Sequence, residues 1–230
     1  MPVLTGSPPI DVTLRRSART RRFSLRVSRL DGRVTLSLPL RAMESEALTF
    51  LKAQESWLRQ TLVEMSSSVP QSVVMGSQIP VEGDPFTLAQ GAGRSIKVDG
   101  TQILVPGDPA QAGVRIGAWL KVLARDRLAT ASTHYAGLVD RPYSRLALRD
   151  TRSRWGSCSH EKALMYNWRL IMAPPSVLAY VAAHEVAHLV EMNHSADFWA
   201  VVSSIYPDYA AERAWLHREG QALHRYRFGD

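Results

Sequence analysis

Between Pro174 and Trp199 the chain reads PPSVLAYVAAHEVAHLVEMNHSADFW, and no other stretch limits its folds as strongly. Two prolines mark a helix start, where a missing backbone N–H costs nothing. The pattern after them predicts a helix from about 175 to 192. His184 and His188 interrupt an otherwise Ala/Val/Leu face, and packing gives no reason for them. Residues four apart on a helix lie one turn above each other, offset by about 40°. The two imidazoles can therefore address one ion. Glu185 is turned by about 100° and can reach a water beside that ion without ligating it.

The H-E-x-x-H spacing thus predicts a divalent metal held by His184 and His188, with Glu185 as general base. Zinc is the expected ion, with manganese or nickel as alternatives. By composition such a motif arises by chance about once in a hundred chains of this kind. His194 follows His188 by six residues and is the expected third ligand. The metzincin pattern H-E-x-x-H-x-x-G-x-x-H places a turn glycine where this chain has Glu191, so Asn193 is expected to turn the chain as a left-handed cap. The competing third ligand is Glu212, on a following helix.

The remainder of the chain gives the setting. An apolar share of 45% and a charged share of 21% over 230 residues are those of an ordinary globular protein. No apolar run approaches the roughly 20 residues of a membrane span. The N-terminal MPVLTGSPPIDV has neither the basic nor the apolar segment of a signal peptide. The single Cys158 excludes an intrachain disulfide. A cytoplasmic location is the expectation from these features.

Phe23, Leu25 and Val27 alternate with polar residues, as do Val34, Leu36 and Leu38, and Asp31-Gly32 between them signals a hairpin. A helix is expected over 43–65, stopped by Ser66-Ser67-Ser68 and Pro70. Short strands should follow up to Val105, among them Phe86–Leu88 and Ile103–Val105. The segment PGDPAQAG (Pro106 to Gly113) suggests a division into a β-rich region with one helix, 1–106, and a second domain, 107–230. In the second domain a helix is expected over 114–136. Strands should cover 144–153 and 164–171, with Trp155-Gly156-Ser157 as the turn between them, and a last helix should cover 208–224. The fold class is α+β.

The net charge is +7, from 28 basic and 21 acidic residues. Much of the excess is early: Arg15, Arg16, Arg19, Arg21, Arg22, Arg26, Arg29 and Arg33 face only Asp31 in that stretch. Such a cluster is either a solvated strand face or a surface for a polyanion or acidic substrate. His134, His160, His217 and His224 lack ligand spacing and are expected at the surface. Cys158 has no visible partner base and is not expected to be a nucleophile.

Three stretches, LRDTRSRWGSCS, YNWRLIMAPPSVLAYVAAHEVAHLVEMNHSADFW and YPDYAAERAWL, resemble the YgjP-like metallopeptidase-like family, which is related to the SprT-like minimal zincins. The resemblance covers about residues 145 to 220, and the Arg-rich hairpin with its helix fits it too. It implies a zincin-like fold: a small, mostly β N-terminal region, then a sheet edge and the active-site helix. It also implies His184, His188 and His194 as ligands and Glu185 as catalytic residue. Arg152, Arg154 and Asn167 are candidate substrate contacts. A strand around Ser153 to Cys158, if it forms the sheet edge, could take a peptide as a further strand.

Three functions are compatible with this reading. The first is a zinc-dependent metallopeptidase acting on a peptide or protein, DNA-associated in some related groups. The second is a metal-dependent nucleoside triphosphate pyrophosphohydrolase, with arginines neutralising phosphates. The third is a nucleic-acid-binding module with a structural zinc. Glu185 argues against the last, because a structural site fills its fourth position with a protein ligand.

Overall fold

The computed structural model describes residues 3–28, 32–66 and 70–229. The chain divides into two compact units, Met1–Val69 and Pro70–Asp230. The division expected between residues 106 and 107 instead falls inside the second unit. Ile103 and Val105 before it share one buried core with Ile116 and Leu120 after it. The Pro106–Gly113 segment acts as a helix entry, where Asp108 accepts the Ala110 N–H at 2.9 Å.

In the first unit β1 (Val3–Leu4), β2 (Ile10–Ser17), β3 (Ser24–Val27) and β4 (Val34–Pro39) form one sheet, ordered β1-β2-β4-β3. Leu25 lies opposite Leu36 and Val27 opposite Val34, so the expected antiparallel pair forms. The Ser28 N–H donates to the Arg33 carbonyl, which leaves a loop longer than a two-residue turn. Gly32 has a φ of +70°, and Asp31 lies outside the described residues. β2 runs parallel to β4, and Val12, Val34, Leu36 and Leu38 are buried on one face. Ala47, Leu51 and Leu58 of α1 (Glu44–Ala53) and α2 (Glu55–Ser66) join that core. These two helices replace the single one expected. The Gln54 N–H is shared between the Phe50 and Leu51 carbonyls, which tightens the turn and breaks the run. Ser67 and Ser68, part of the expected stop, lie outside the described residues.

The second unit opens with β5 (Gln71–Ser72) and a sheet of β6 (Gln78–Val81), β7 (Asp84–Gly91), β8 (Lys97–Asp99) and β9 (Gln102–Pro106), ordered β6-β7-β9-β8. The long α3 (Ala112–Leu138) follows. Next come β10 (Arg145–Arg149), β11 (Gly156–Cys158) and β12 (Ala163–Asn167), ordered β10-β12-β11. β10 is parallel to β12, while β11 pairs antiparallel with β12 and forms the edge. A 3-10 turn, Trp168–Met172, leads into α4 (Pro175–Ala187), α5 (Ala196–Ile205) and α6 (Tyr209–Glu219). A second 3-10 turn, Gly220–Arg225, and β13 (Tyr226–Arg227), parallel to β5, close the unit.

Two local expectations change. Gly156-Ser157 is not a turn but the start of the edge strand, with Gly156 opposite Tyr166 and Ser157 opposite Met165. The strand expected over 164–171 ends at Asn167, whose side-chain oxygen accepts the Arg169 N–H at 2.9 Å and caps the 3-10 turn. The mixture of helices and small sheets is an α+β fold, as expected. No helix among the described residues is long and apolar enough to cross a membrane.

Candidate metal centre

The helix α4 is apolar because it is packed on most sides. Val177, Val181, Ala182, Ala183, Val186 and Ala187 are all buried, and each larger one contributes about 1.5–3 kcal/mol. His184 and His188 lie at its C-terminal end. There the chain reverses without a glycine or a left-handed residue, since Asn193 does not have positive φ. Instead the helix tightens: Leu189 N–H donates to Val186 and Val190 N–H to Ala187. The Glu191 carboxylate then accepts the Asn193 N–H at 3.2 Å. Ser195 caps α5 by accepting the Phe198 N–H at 3.2 Å. This replaces the cap expected at Asn193, and Glu191 is part of the turn.

The reversal brings His194 back over the helix end. Each of His184, His188 and His194 offers a ligand atom, and these atoms lie within 4.8 Å of one another. His184 Nε2 and His194 Nε2 are 3.1 Å apart. Two zinc–nitrogen bonds of about 2.0–2.1 Å at a tetrahedral angle would separate such nitrogens by roughly 3.4 Å. The His188 Nδ1–H donates to the Glu191 carbonyl at 3.0 Å, which leaves Nε2 as the bare nitrogen. Burial, then the neighbouring imidazoles, push the His184 pKa down to about 3, and burial lowers that of His188. Neutral imidazoles are the form that ligates a metal. These donors fit a divalent ion of the zinc type.

Phe198, fully buried, is the floor of the cluster: it stacks on His188 at 4.4 Å and meets His184 and His194 edge-on. Trp199 lies 5.8 Å from His184 and 6.1 Å from His194, ring centre to ring centre, and carries the Arg213 guanidinium at 4.7 Å. Glu212, the rival third ligand, is not in the histidine group. Its Oε2 is buried and without a hydrogen-bond partner among the described residues, while the Tyr206 hydroxyl nearby donates to the Ser176 carbonyl at 3.1 Å.

Glu185 is 5% exposed, and burial pushes its pKa up to about 8 while the charge of Arg154 opposes the shift. Its side chain lies against Gly156 of the edge strand. A Cβ at Gly156 would sit 2.5 Å from Glu185 Oε1 and 2.6 Å from its Cγ. Glycine here makes room for the carboxylate. Cys158, on the same strand, has its thiol pushed up to about 11 by burial and by Glu185, so it is a poor nucleophile.

Arg152 and Arg154 are exposed in the loop before β11. Asn167 is not available to a substrate. It is fully buried, its Nδ2 donates to the Thr151 carbonyl at 2.6 Å, and its Oδ1 holds the Arg169 N–H. Asn167 is a brace for the loop that carries the two arginines. His224 is another correction, for it is largely buried, 5.2 Å from the Trp155 ring and beside Asp150.

Sequence reasoning also missed the pair beneath that loop. Arg169, 2% exposed, forks onto both Asp150 oxygens at 2.8 and 3.0 Å and donates to the Leu223 and Tyr226 carbonyls. Only the presence of both residues within the LRDTRSRWGSCS and YNWRLIM stretches hinted at it.

A family model described as YgjP-like, metallopeptidase domain, matches residues 21–219. No curated protein and no solved structure matches the chain.

Proposed function

The chain belongs to the YgjP-like metallopeptidase family, and from that premise we propose that it is a zinc-dependent peptidase with Glu185 as its general base. One observation carries the reading: three convergent histidines lie beside a buried carboxylate that faces an edge strand. His184, His188 and His194 would hold the ion. When bound, a divalent ion supplies Lewis acidity, which acidifies water and polarises a carbonyl.

The chain's own residues supply the rest. β11 pairs with β12 on one side only, so its other edge can accept an extended peptide as an added strand. A peptide so placed runs past Gly156 and hence past the Glu185 carboxylate. In its basic form Glu185 takes the proton of the attacking water on a carboxylate oxygen and returns it to the leaving amine. A carboxyl group whose pKa is raised toward neutrality suits that exchange. Phe198 and the His188–Glu191 hydrogen bond fix the imidazoles before any substrate arrives.

A second reading, hydrolysis of a nucleoside triphosphate, finds support in two arginines. Arg154 is exposed in the loop before β11, the strand that Glu185 lies against, and Arg213 stacks on Trp199, whose ring is 5.8 Å from that of His184, so both flank the centre.

The test is one panel run on the parent and on Glu185→Gln: casein-like protein, DNA-bound protein and nucleoside triphosphates, with metal content measured alongside. The variant should keep its metal and lose at least about 100-fold in protein hydrolysis. Full activity in the variant would sink the mechanism, and hydrolysis confined to triphosphates would favour the second reading.

A further inference from the structure

The arginines of the first unit play no part in the metal centre, yet their placement is ordered. β2, β3 and β4 bury Val12, Leu14, Leu25, Val27, Val34 and Leu36 toward α1 and α2. The alternate residues therefore share the opposite face. Register aligns them in two rows across the strands, Arg26–Thr35–Thr13 and Ser24–Ser37–Arg15. Along a strand, neighbours on one face stand roughly 6.7 Å apart. Arg19, Arg21 and Arg22, in the link between β2 and β3, are exposed beside these rows, as are Arg15 and Arg26.

Other arginines of this unit are held inside it. Arg16 donates to the Leu40 and Ala42 carbonyls, and Arg59 binds Glu55 and the Thr5 and Pro8 carbonyls. Among the described residues, no side-chain hydrogen bond or ion pair engages Arg15, Arg19, Arg21, Arg22 or Arg26. Among the described residues the carboxylates are segregated: Glu44, Glu46 and Glu55 belong to the helices on the other side of the sheet, and Asp11 alone shares the arginine face, at the far end of β2. Arginines interleaved with hydroxyls match phosphate oxygens, which accept from both.

We propose that this face binds the phosphodiester backbone of duplex DNA without reading its sequence. The absence of rings on it excludes base stacking. Phe23, just before β3, stacks on Phe50 of α1 at 5.6 Å and packs with the core. A face without an aromatic platform has no hold on unstacked single-stranded bases. Among the described residues its apolar groups are Val3, opposite Asp11, and Pro39, opposite Ser17, which are isolated and too few to enter a bilayer. A DNA duplex, with one charge per about 1.7 Å of axis, offers a regular, dense row of the groups this face recognises.

The experiment is fluorescence anisotropy of a short labelled duplex with the full-length protein, titrated with salt. The affinity should fall linearly with salt on a log–log plot, with a slope of about −3 to −4 for roughly four phosphates. Arg15→Ser with Arg26→Ser should cost about tenfold in affinity and flatten the slope by about 2. Arg15→Lys with Arg26→Lys should keep the slope, which separates lost charge from a damaged sheet. Glu185→Gln should bind like the parent, so the DNA face can fail or stand apart from the peptidase reading. The proposal is overturned by unchanged affinity in the serine variant or tighter binding of single strands. Polyglutamate or anionic vesicles competing as well as duplex would also overturn it.

Discussion

Arginine serves two opposite purposes in the two units. On the first unit's sheet, Arg15 and Arg26 stand in solvent with hydroxyl neighbours and, among the described residues, no ion pair. In the second unit Arg169 is buried, with Asp150 and two carbonyls answering its donors and the Trp168 and Phe228 rings against its plane. A guanidinium in solvent keeps its charge available to a partner; one enclosed with four of its five N–H groups bonded is a rivet. Arg169 ties the β10–β11 loop, through Asp150, to the C-terminal turn, through Leu223 and Tyr226. The loop it anchors carries Arg152 and Arg154 toward the edge strand. What decides the role is the surroundings, not the residue type.

The comparison breaks most readily at the rivet. Arg169→Met leaves Asp150 and two carbonyls without their donor, and urea unfolding should show a loss of about 4 kcal/mol. A loss below ~1 kcal/mol would mean that the pair is decorative.

Next in size is the buried carboxylate of the same unit. The folded pKa of Glu185, about 8, lies above the ~4.3 of an unfolded glutamate. Protonation is therefore favoured in the native state, and the metal-free protein should lose stability as pH rises from about 4 to 8. With chelator present, Glu185→Gln should match the parent near pH 4 and exceed it by on the order of 3 kcal/mol at pH 7. Identical melting curves at both pH values would show that the carboxylate is solvated.

Smallest is the solvent-exposed arginine. Arg15→Ser alone should shift the unfolding free energy by no more than about 0.5 kcal/mol. A larger loss would make the sheet face structural and weaken the contrast with Arg169.

The legibility of the chain follows the range of the forces involved. The helix α4, its two histidines and Glu185 were readable because helical spacing is local and the proline start stands beside the motif. His194 was readable as a residue but not as a geometry. The reversal rests on tightened helical hydrogen bonds and a Glu191 side chain, not on the left-handed cap that composition suggested at Asn193. β11 looked like a turn because a three-residue strand containing glycine has no pattern of its own; its partner β12 makes it a strand. Asn167 looked available because its partner is a backbone carbonyl sixteen residues away, which no side-chain pattern records. The helix α5 carries little signal in the sequence for a related reason: its start is marked by the single Ser195 cap.

Gly156 sets a steric condition on any substitution at position 156. The volume that a methyl group would fill there is already occupied by the Glu185 carboxylate. A variant with any side chain at 156 must first shorten or displace the carboxylate, and a shortened carboxylate reaches less far. A change at 156 therefore depends on a change at 185, whereas Glu185→Gln, equal in size, meets no such collision.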